Sequence, residues 1–497
     1  MTPRSRLPRA RRWFCLLFVL GFATLAYAAD TKGFDPVAET EKYIATLPAD
    51  ARAKSDAYFE GGYWLQAWDL LVTVLFTWLV LHFGVVQRMR DWALVEKTTR
   101  RLLTAFVFVA TWLGSAAIFK IAAPSQSDWL WMVRFVATPI FGGLVAFVFL
   151  KVRIAAWSRR PGLHLYLAGV YFLVLFTTFS WISTMPWGLY IGYFREHAYD
   201  LSNLSLVDWF GESLKGQFIF TVVFSLLFSL LYQGIRKYPQ RWWVAAGLAT
   251  PFIIFCLNVL APVYVAPLFN AYEPLKDPKV RDPILSLARA NSVPVVNIYE
   301  FDASKQTKAI SANVSGAFGT IRIALNDNLL KRCSLAEVEA VMGHELGHYV
   351  LNHVYKLVIY SSLLFAASFA FVHWFLATTT RRWGAAWGLR GGGDLAGMPL
   401  LWLGLSIFMF LATPVKNSIV RTIESEADIF GLNAARQPDG AATTALKLSE
   451  YRKLAPGPWE EIIFFDHPSG RSRILMAMRW KAEHLAEFNA PAGPAAK

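Results

Sequence analysis

Apolar runs long enough to cross a hydrocarbon layer recur along this chain, and no other feature restricts its fold so strongly. A spanning helix needs about 20 mostly apolar residues. Inside lipid only helices and closed barrels satisfy their own backbone polar groups. Such runs fall near 70–86, 102–119, 129–150, 163–184, 217–235, 243–261, 357–376 and 398–415. The composition agrees: 55% of the 497 residues are hydrophobic and 17% are charged. That is more apolar and less charged than a soluble domain. The chain therefore reads as mainly α, a polytopic helical membrane protein whose first partner is the lipid bilayer.

The first residues follow a different plan. MTPRSRLPRARRW is basic, FCLLFVLGFATLAYA is apolar, and Ala26-Tyr27-Ala28 has the small-x-small form of a cleavage site. Residues 1–29 are expected to be a signal peptide or signal anchor, with 30–65 an extracytoplasmic N-terminal segment. Loop charges then alternate. Arg88, Arg90, Lys97, Arg100 and Arg101 crowd one loop, Lys151, Arg153, Arg159 and Arg160 another, and Arg236, Lys237 and Arg241 a third. The intervening loop 185–214 carries Glu196, Asp200, Asp208 and Glu212, and Arg381, Arg382 and Arg390 keep the phase. Basic loops face the cytoplasm, so the chain after 262 is expected outside. The net charge of +14 has the same origin and implies no nucleic acid, because the cations gather at span ends rather than on one soluble face. Cys15, Cys256 and Cys333 offer no well-placed pair, so no structural disulfide is expected.

The expected organisation is a bundle of about six spans over 66–262, then a soluble piece over 263–356. Two further spans fill 357–415, a second soluble piece covers 416–485, and 486–497 is a disordered tail. In the first soluble piece VRDPILSLARAN reads as a helix. VVNIYEFD, KAISANVSGAFG and TIRIALN read as short strands. Ser334 and Glu337 form a capping-box pattern that opens the next helix. No proline falls within 335–377, so that helix is expected to run on into the membrane.

On it lies VMGHELGHYVLNH, residues 341–353. Positions i and i+4 on a helix differ by about 40° around the axis. His344 and His348 therefore turn two imidazoles to one point, as a tetrahedral zinc site requires. Glu345 stands beside them, placed to act as a general base on metal-activated water. A catalytic zinc takes three protein ligands and water. His353 fails as the third, since on a continuous helix it lies about 180° around from His344. RTIESEADIFG, 421–431, offers Glu424 as ligand, with Asp428 one turn on to hydrogen-bond a ligand imidazole from behind. Glu426 is the rival, about 200° around the helix from Glu424.

HELGH followed downstream by Arg421, Glu424, Ala427 and Asp428 resembles the integral-membrane zinc endopeptidases of the type-I CAAX prenyl protease family. LYIGYFREHAYDLSN (189–203), APLFNAYEPL (266–275) and DHPSGRSRI (466–474) are similar to that family's inter-span loop, the start of its catalytic domain and its closing motif. The resemblance implies a zincin-like α+β metallopeptidase domain at the membrane boundary. It implies one Zn2+ per chain, held by His344, His348 and Glu424, with Glu345 driving the water and Asp428 and Arg421 supporting the ligands. It further implies that Asn313, from the S-x-N strand, and His467, from the D-H-P motif, touch substrate or transition state. The expected substrates are membrane-associated peptides, CAAX-type C-terminal peptides or, as in HtpX-type relatives, membrane proteins under quality control, in a bacterial cell membrane. A scaffold or transporter that merely retains a metal site would have a damaged base or ligand, and none is damaged here. The chain departs from the family at Asp200, where glycine is usual. Family members are also described with seven spans and a cytoplasmic catalytic face, which this chain would match only if 102–119 or 129–150 does not cross.

Overall fold

The computed structural model describes residues 33–98, 101, 104, 160–316 and 321–488. The leader, the runs at 102–119 and 129–150, and the tail beyond 488 lie outside them. Five described helices are long and apolar enough to cross a membrane: Ala49–His82, Pro161–Ala198, Leu206–Lys237, Trp242–Leu268 and His353–Trp383. A bent pair, Leu395–Leu411 with Thr413–Ala435, broken by 57°, is long and apolar enough for a sixth crossing if it forms one span.

A short helix α1, Pro36–Ala45, starts on an Asp35 cap. Helix α2, Ala49–His82, begins well inside the segment expected to precede the bundle. It also ends before residue 86, because Gly84 takes a left-handed conformation (φ 66°) and sends the chain into α3, Val85–Ala93. Helices α4, Pro161–Leu189, α5, Leu206–Lys237, and α6, Trp242–Leu260, complete the described part of the first bundle. The loop between α4 and α5 contains Asp200 at φ 59°. This is the left-handed region glycine favours and aspartate tolerates, so the departure at this position leaves the turn intact.

The first soluble piece holds a four-stranded sheet in the order β1-β2-β4-β3. Its strands are β1 Tyr272–Pro274, β2 Ile298–Phe301, β3 Ala312–Ser315 and β4 Arg322–Asn326. The three expected strands form; β1 was not legible, because Glu273-Pro274 carries no apolar alternation. Among the described residues strand β3 pairs only with β4 and so forms an edge. Helix α7, Pro278–Ala290, and the short α8, Asp327–Arg332, accompany the sheet. Ile284, Ile298, Ile323, Leu325, Met342 and Leu346 join one core that ties it to α9, Leu335–Val350. The Ser334–Glu337 capping box opens α9 as expected.

The helix does not run on into the membrane. Asn352 adopts a left-handed conformation (φ 58°), and a new helix α10, His353–Trp383, starts immediately after it. Asparagine is one of the few residues besides glycine that closes a helix this way, so no proline is needed. The final spanning element is also broken, at Ala412, into α11, Met398–Leu411, and α12, Thr413–Ala435. Helices α13 Pro438–Leu448, α14 Pro458–Phe464 and α15 Gly470–Glu483 follow. The start of the tail forms one more short helix, Leu485–Phe488. Ile44 of α1 is buried with Leu432, Ala442, Ile474 and Met478, which fixes the N-terminal segment to the second soluble piece.

Candidate metal centre

Two helices carry the cluster, and their closeness comes from small residues. A Cβ on Gly343 would lie 2.9 Å from the Gly431 carbonyl, and one on Gly431 would lie 2.8 Å from the His344 nitrogen. Gly347 likewise meets Ala427 and Phe430. Gly343 with Gly347, and Ala427 with Gly431, are spaced four apart. Each pair forms the small-residue stripe that lets helix backbones touch. Contact at that stripe lays the Glu424 turn of α12 against the His344–His348 turn of α9.

His344, His348 and Glu424 each offer a ligand atom, all within 4.8 Å of one another. The two Nε2 atoms are 3.1 Å apart. Glu424 Oε2 is 3.2 Å from His344 Nε2, and Oε1 is 3.6 Å from His348 Nε2. Ligand atoms about 2.0–2.1 Å from a tetrahedral zinc stand roughly 3.3 Å apart, so the residues present fit the ion. Asp428 accepts from His344 Nδ1 at 2.8 Å, which leaves the Nε2 lone pair facing the others.

The electrostatics call for a cation at the same point. Burial opposes a charged His344, yet Asp428 and Glu424 outweigh it and raise this ring to about 9. Burial, reinforced by His344, pulls His348 down to about 4. Without a metal, one positive charge thus settles among the three groups. Burial pushes the Glu345 carboxyl up to about 7, against the pull of His344. Such a carboxyl can both take and return a proton near neutrality.

His467 belongs to the cluster: its Nε2 is 3.3 Å from Glu424 Oε2, and Asp466 holds its Nδ1 at 2.8 Å. Asn313 sits half-buried on the edge strand β3. Among the described residues its amide makes no hydrogen bond to the cluster. Among the described residues Arg421 makes no hydrogen bond to His344, His348, Glu424 or Asp428. It donates to the Glu461 and Phe465 carbonyls at 2.8 and 2.6 Å, fixing the segment that presents His467. The residue behind Asp428 is instead Arg473, which donates to its carboxylate. Arg473 lies within DHPSGRSRI, but no spacing rule points to it.

His353 also differs from expectation. The argument against it assumed a continuous helix, and the break at Asn352 folds it back so that its Nδ1 is 2.9 Å from His348 Nδ1. It is not a third ligand, since it meets the ring nitrogen that faces away from the cluster. Glu426, the rival ligand, points away too, toward His353 Nε2 at 3.0 Å. Beside the cluster a cavity of about 240 Å3 is lined by Ile310, Leu329, Val341, Leu448 and Met476 together with Glu345 and Arg473.

A multi-span helical bundle carrying a His-His-Glu cluster beside a buried carboxylate defines a membrane metallopeptidase. The description of peptidase family M48 matches residues 274–481, and that of the CAAX prenyl protease N-terminal region, with five membrane helices, matches 127–271. The uncharacterized metalloprotease YhfN of Bacillus subtilis (strain 168) is 30% identical over 342 residues, covering 68% of this chain and 78% of its own. CAAX prenyl protease 1 of Saccharomyces cerevisiae is 29% identical over 199 residues, 39% of this chain and 43% of the yeast protein. The crystal structure of S. mikatae Ste24p superposes with a TM-score of 0.53 at 19% identity, covering 78% of this chain and 98% of that one; it shares the fold. The chain belongs to peptidase family M48 and is a membrane metallopeptidase.

Proposed function

We propose that the chain is a zinc endopeptidase that cleaves membrane-associated peptides, with one ion held by His344, His348 and Glu424. The observation that carries this reading is the spacing of the three ligand atoms, 3.1, 3.2 and 3.6 Å, with Glu345 adjacent. When bound, zinc supplies a Lewis acid that polarises a peptide carbonyl and acidifies a water. The chain's own residues do the rest. Strand β3 is an edge strand among the described residues, and an extended peptide aligns beside it by strand addition. The 240 Å3 cavity receives one apolar side chain of that peptide. Glu345 takes the proton of the attacking water and returns it to the leaving amine. His467, oriented by Asp466, faces the position where negative charge develops on the carbonyl oxygen. Asn313, on the same edge strand, holds the peptide backbone.

The substrate class rests on the position of the site, at the ends of the spanning elements α10 and α12. CAAX-type C-terminal peptides are one such substrate, supported by the relatives that bear that name, and membrane proteins under quality control are the other. The bacterial relative and the leader-like first residues support a bacterial cell membrane as the location.

The test is Glu345→Gln in the purified, detergent-solubilised chain with a quenched peptide. Hydrolysis should fall by about 10²–10⁴-fold while zinc stays near one per chain. Unchanged hydrolysis would reject the mechanism. Comparing farnesylated with unmodified peptide then separates the two substrate classes.

A further inference from the structure

His348 is backed by a hydrogen-bonded chain that leads out of the site. Its Nδ1 lies 2.9 Å from His353 Nδ1, and His353 Nε2 lies 3.0 Å from Glu426 Oε2. Lys356 holds that same oxygen. His353 is only 1% exposed, whereas the Glu426 and Lys356 side chains are 43% and 38% exposed. These two open onto a groove between α10 and α12 that Tyr360, Ile419 and Thr422 also line.

The direction of each hydrogen bond follows from the far end. A carboxylate paired with an ammonium only accepts, so His353 carries its proton on Nε2 and donates it to Glu426. A neutral His353 then has a bare Nδ1, and the short contact between the two Nδ1 atoms requires the proton to sit on His348. That leaves the His348 Nε2 lone pair free toward His344 and Glu424. Asp428 sets the other ligand ring the same way, but directly and from a buried position.

We propose that His353 is a positioning residue for the metal centre: it fixes the tautomer and orientation of His348, and Glu426 sets its direction. The break at Asn352 is what makes this possible, because on a continuous helix His353 would face away. The proposal rests on the zinc reading above. If the parent chain holds no zinc, that reading fails; if the parent holds zinc and the variants below behave like it, only the relay fails.

The experiment measures zinc loss to a competing chelator, with hydrolysis as a second readout. His353→Phe keeps an aromatic ring but offers no acceptor to His348. Zinc affinity should fall by about 10–100-fold, the range for losing a group that orients a ligand histidine. His353→Asn places an acceptor oxygen near the Nδ1 position and should recover most of that loss. Glu426→Lys, at a side chain 43% exposed, turns the end of the chain from acceptor to donor. His353 then carries its proton on Nδ1, facing the proton of His348, and zinc should again be released at least tenfold more readily. Zinc retention equal to the parent in both His353→Phe and Glu426→Lys would overturn the assignment. So would a His353→Asn variant no better than His353→Phe.

Discussion

At the scale of single residues, the site is organised by charges one bond removed from the ligands. Arg473 illustrates this. Its guanidinium donates to Asp428, which accepts from His344 Nδ1, and both side chains are shielded, 18% and 9% exposed. Replacing Arg473 with Met leaves the Asp428 carboxylate buried without its cation, so that it gains a proton or turns away, and His344 loses its anchor. Arg473→Met should lower kcat/KM and zinc affinity by about 10–100-fold. Arg473→Lys, which keeps the charge but loses the planar fork, should recover part of both, as peptide hydrolysis and chelator competition will read. His344, His348 and Glu345 were legible in the sequence, because helical spacing turns i and i+4 side chains together, whereas Glu424, on another helix, was singled out from Glu426 by the family resemblance. Arg473 and His353 were not legible. One is contributed by a helix remote in sequence, and the other is placed by a single left-handed residue that no periodicity records.

Among elements, the crossing of α9 and α12 decides whether the site exists. Gly343 and Gly431 touch backbone to backbone, with added Cβ atoms at 2.9 and 2.8 Å from main-chain atoms, distances that leave no flexible neighbour to yield. Gly431→Ala should push the helices apart at a cost of about 1–3 kcal/mol. It should also bring zinc content below one per chain, because Glu424 moves with α12 while the histidines stay on α9. Gly216→Ala in α5, where nothing lies within 4 Å of the added Cβ, should change neither. Thermal unfolding and metal analysis of the two variants check this. The glycine and alanine stripes stand in the sequence, but their meaning depends on knowing which helices meet. The capping box at Ser334 was readable because its two partners lie three residues apart. The bend at Asn352 was missed because sequence flags helix breaks mainly through proline and glycine; the bend at Ala412 did carry such a flag, Pro414 in the first turn of α12.

For the whole molecule, the packing of distant segments bears on which side of the membrane the centre faces. Ile44 of α1 shares a core with Leu432 and Ile474, so the segment before the first described span lies on the face of the metal centre. At the other end of the bundle Arg90 pairs with Asp394 at 2.6 Å, and Arg236 donates to the Gly393 carbonyl at 2.9 Å. The loop 384–394 therefore gathers with the basic turns after α2 and α5. Arg88, Arg160, Lys237, Arg241, Arg381, Arg382 and Arg390 stand in or beside those turns, so the basic loops share the end opposite the cluster. The Arg90–Asp394 pair is 5% and 2% exposed; losing Asp394 leaves Arg90 only Asp91 and the Gly388 carbonyl and takes the acceptor from the Arg390 and Ala396 amides. Asp394→Ala should therefore destabilise the bundle by about 3–5 kcal/mol, read as a lowered unfolding midpoint in detergent. Positive loops stay in the cytoplasm, so loop charge predicts a metal centre on the outer side. Alkaline phosphatase, which needs disulfides and so an oxidising compartment, distinguishes the two arrangements in a bacterial host. Fused after Lys497 it should be active, and fused after Gly392 inactive. The reverse pattern would place the centre in the cytoplasm and would mean that loop charge does not set the orientation of this bundle.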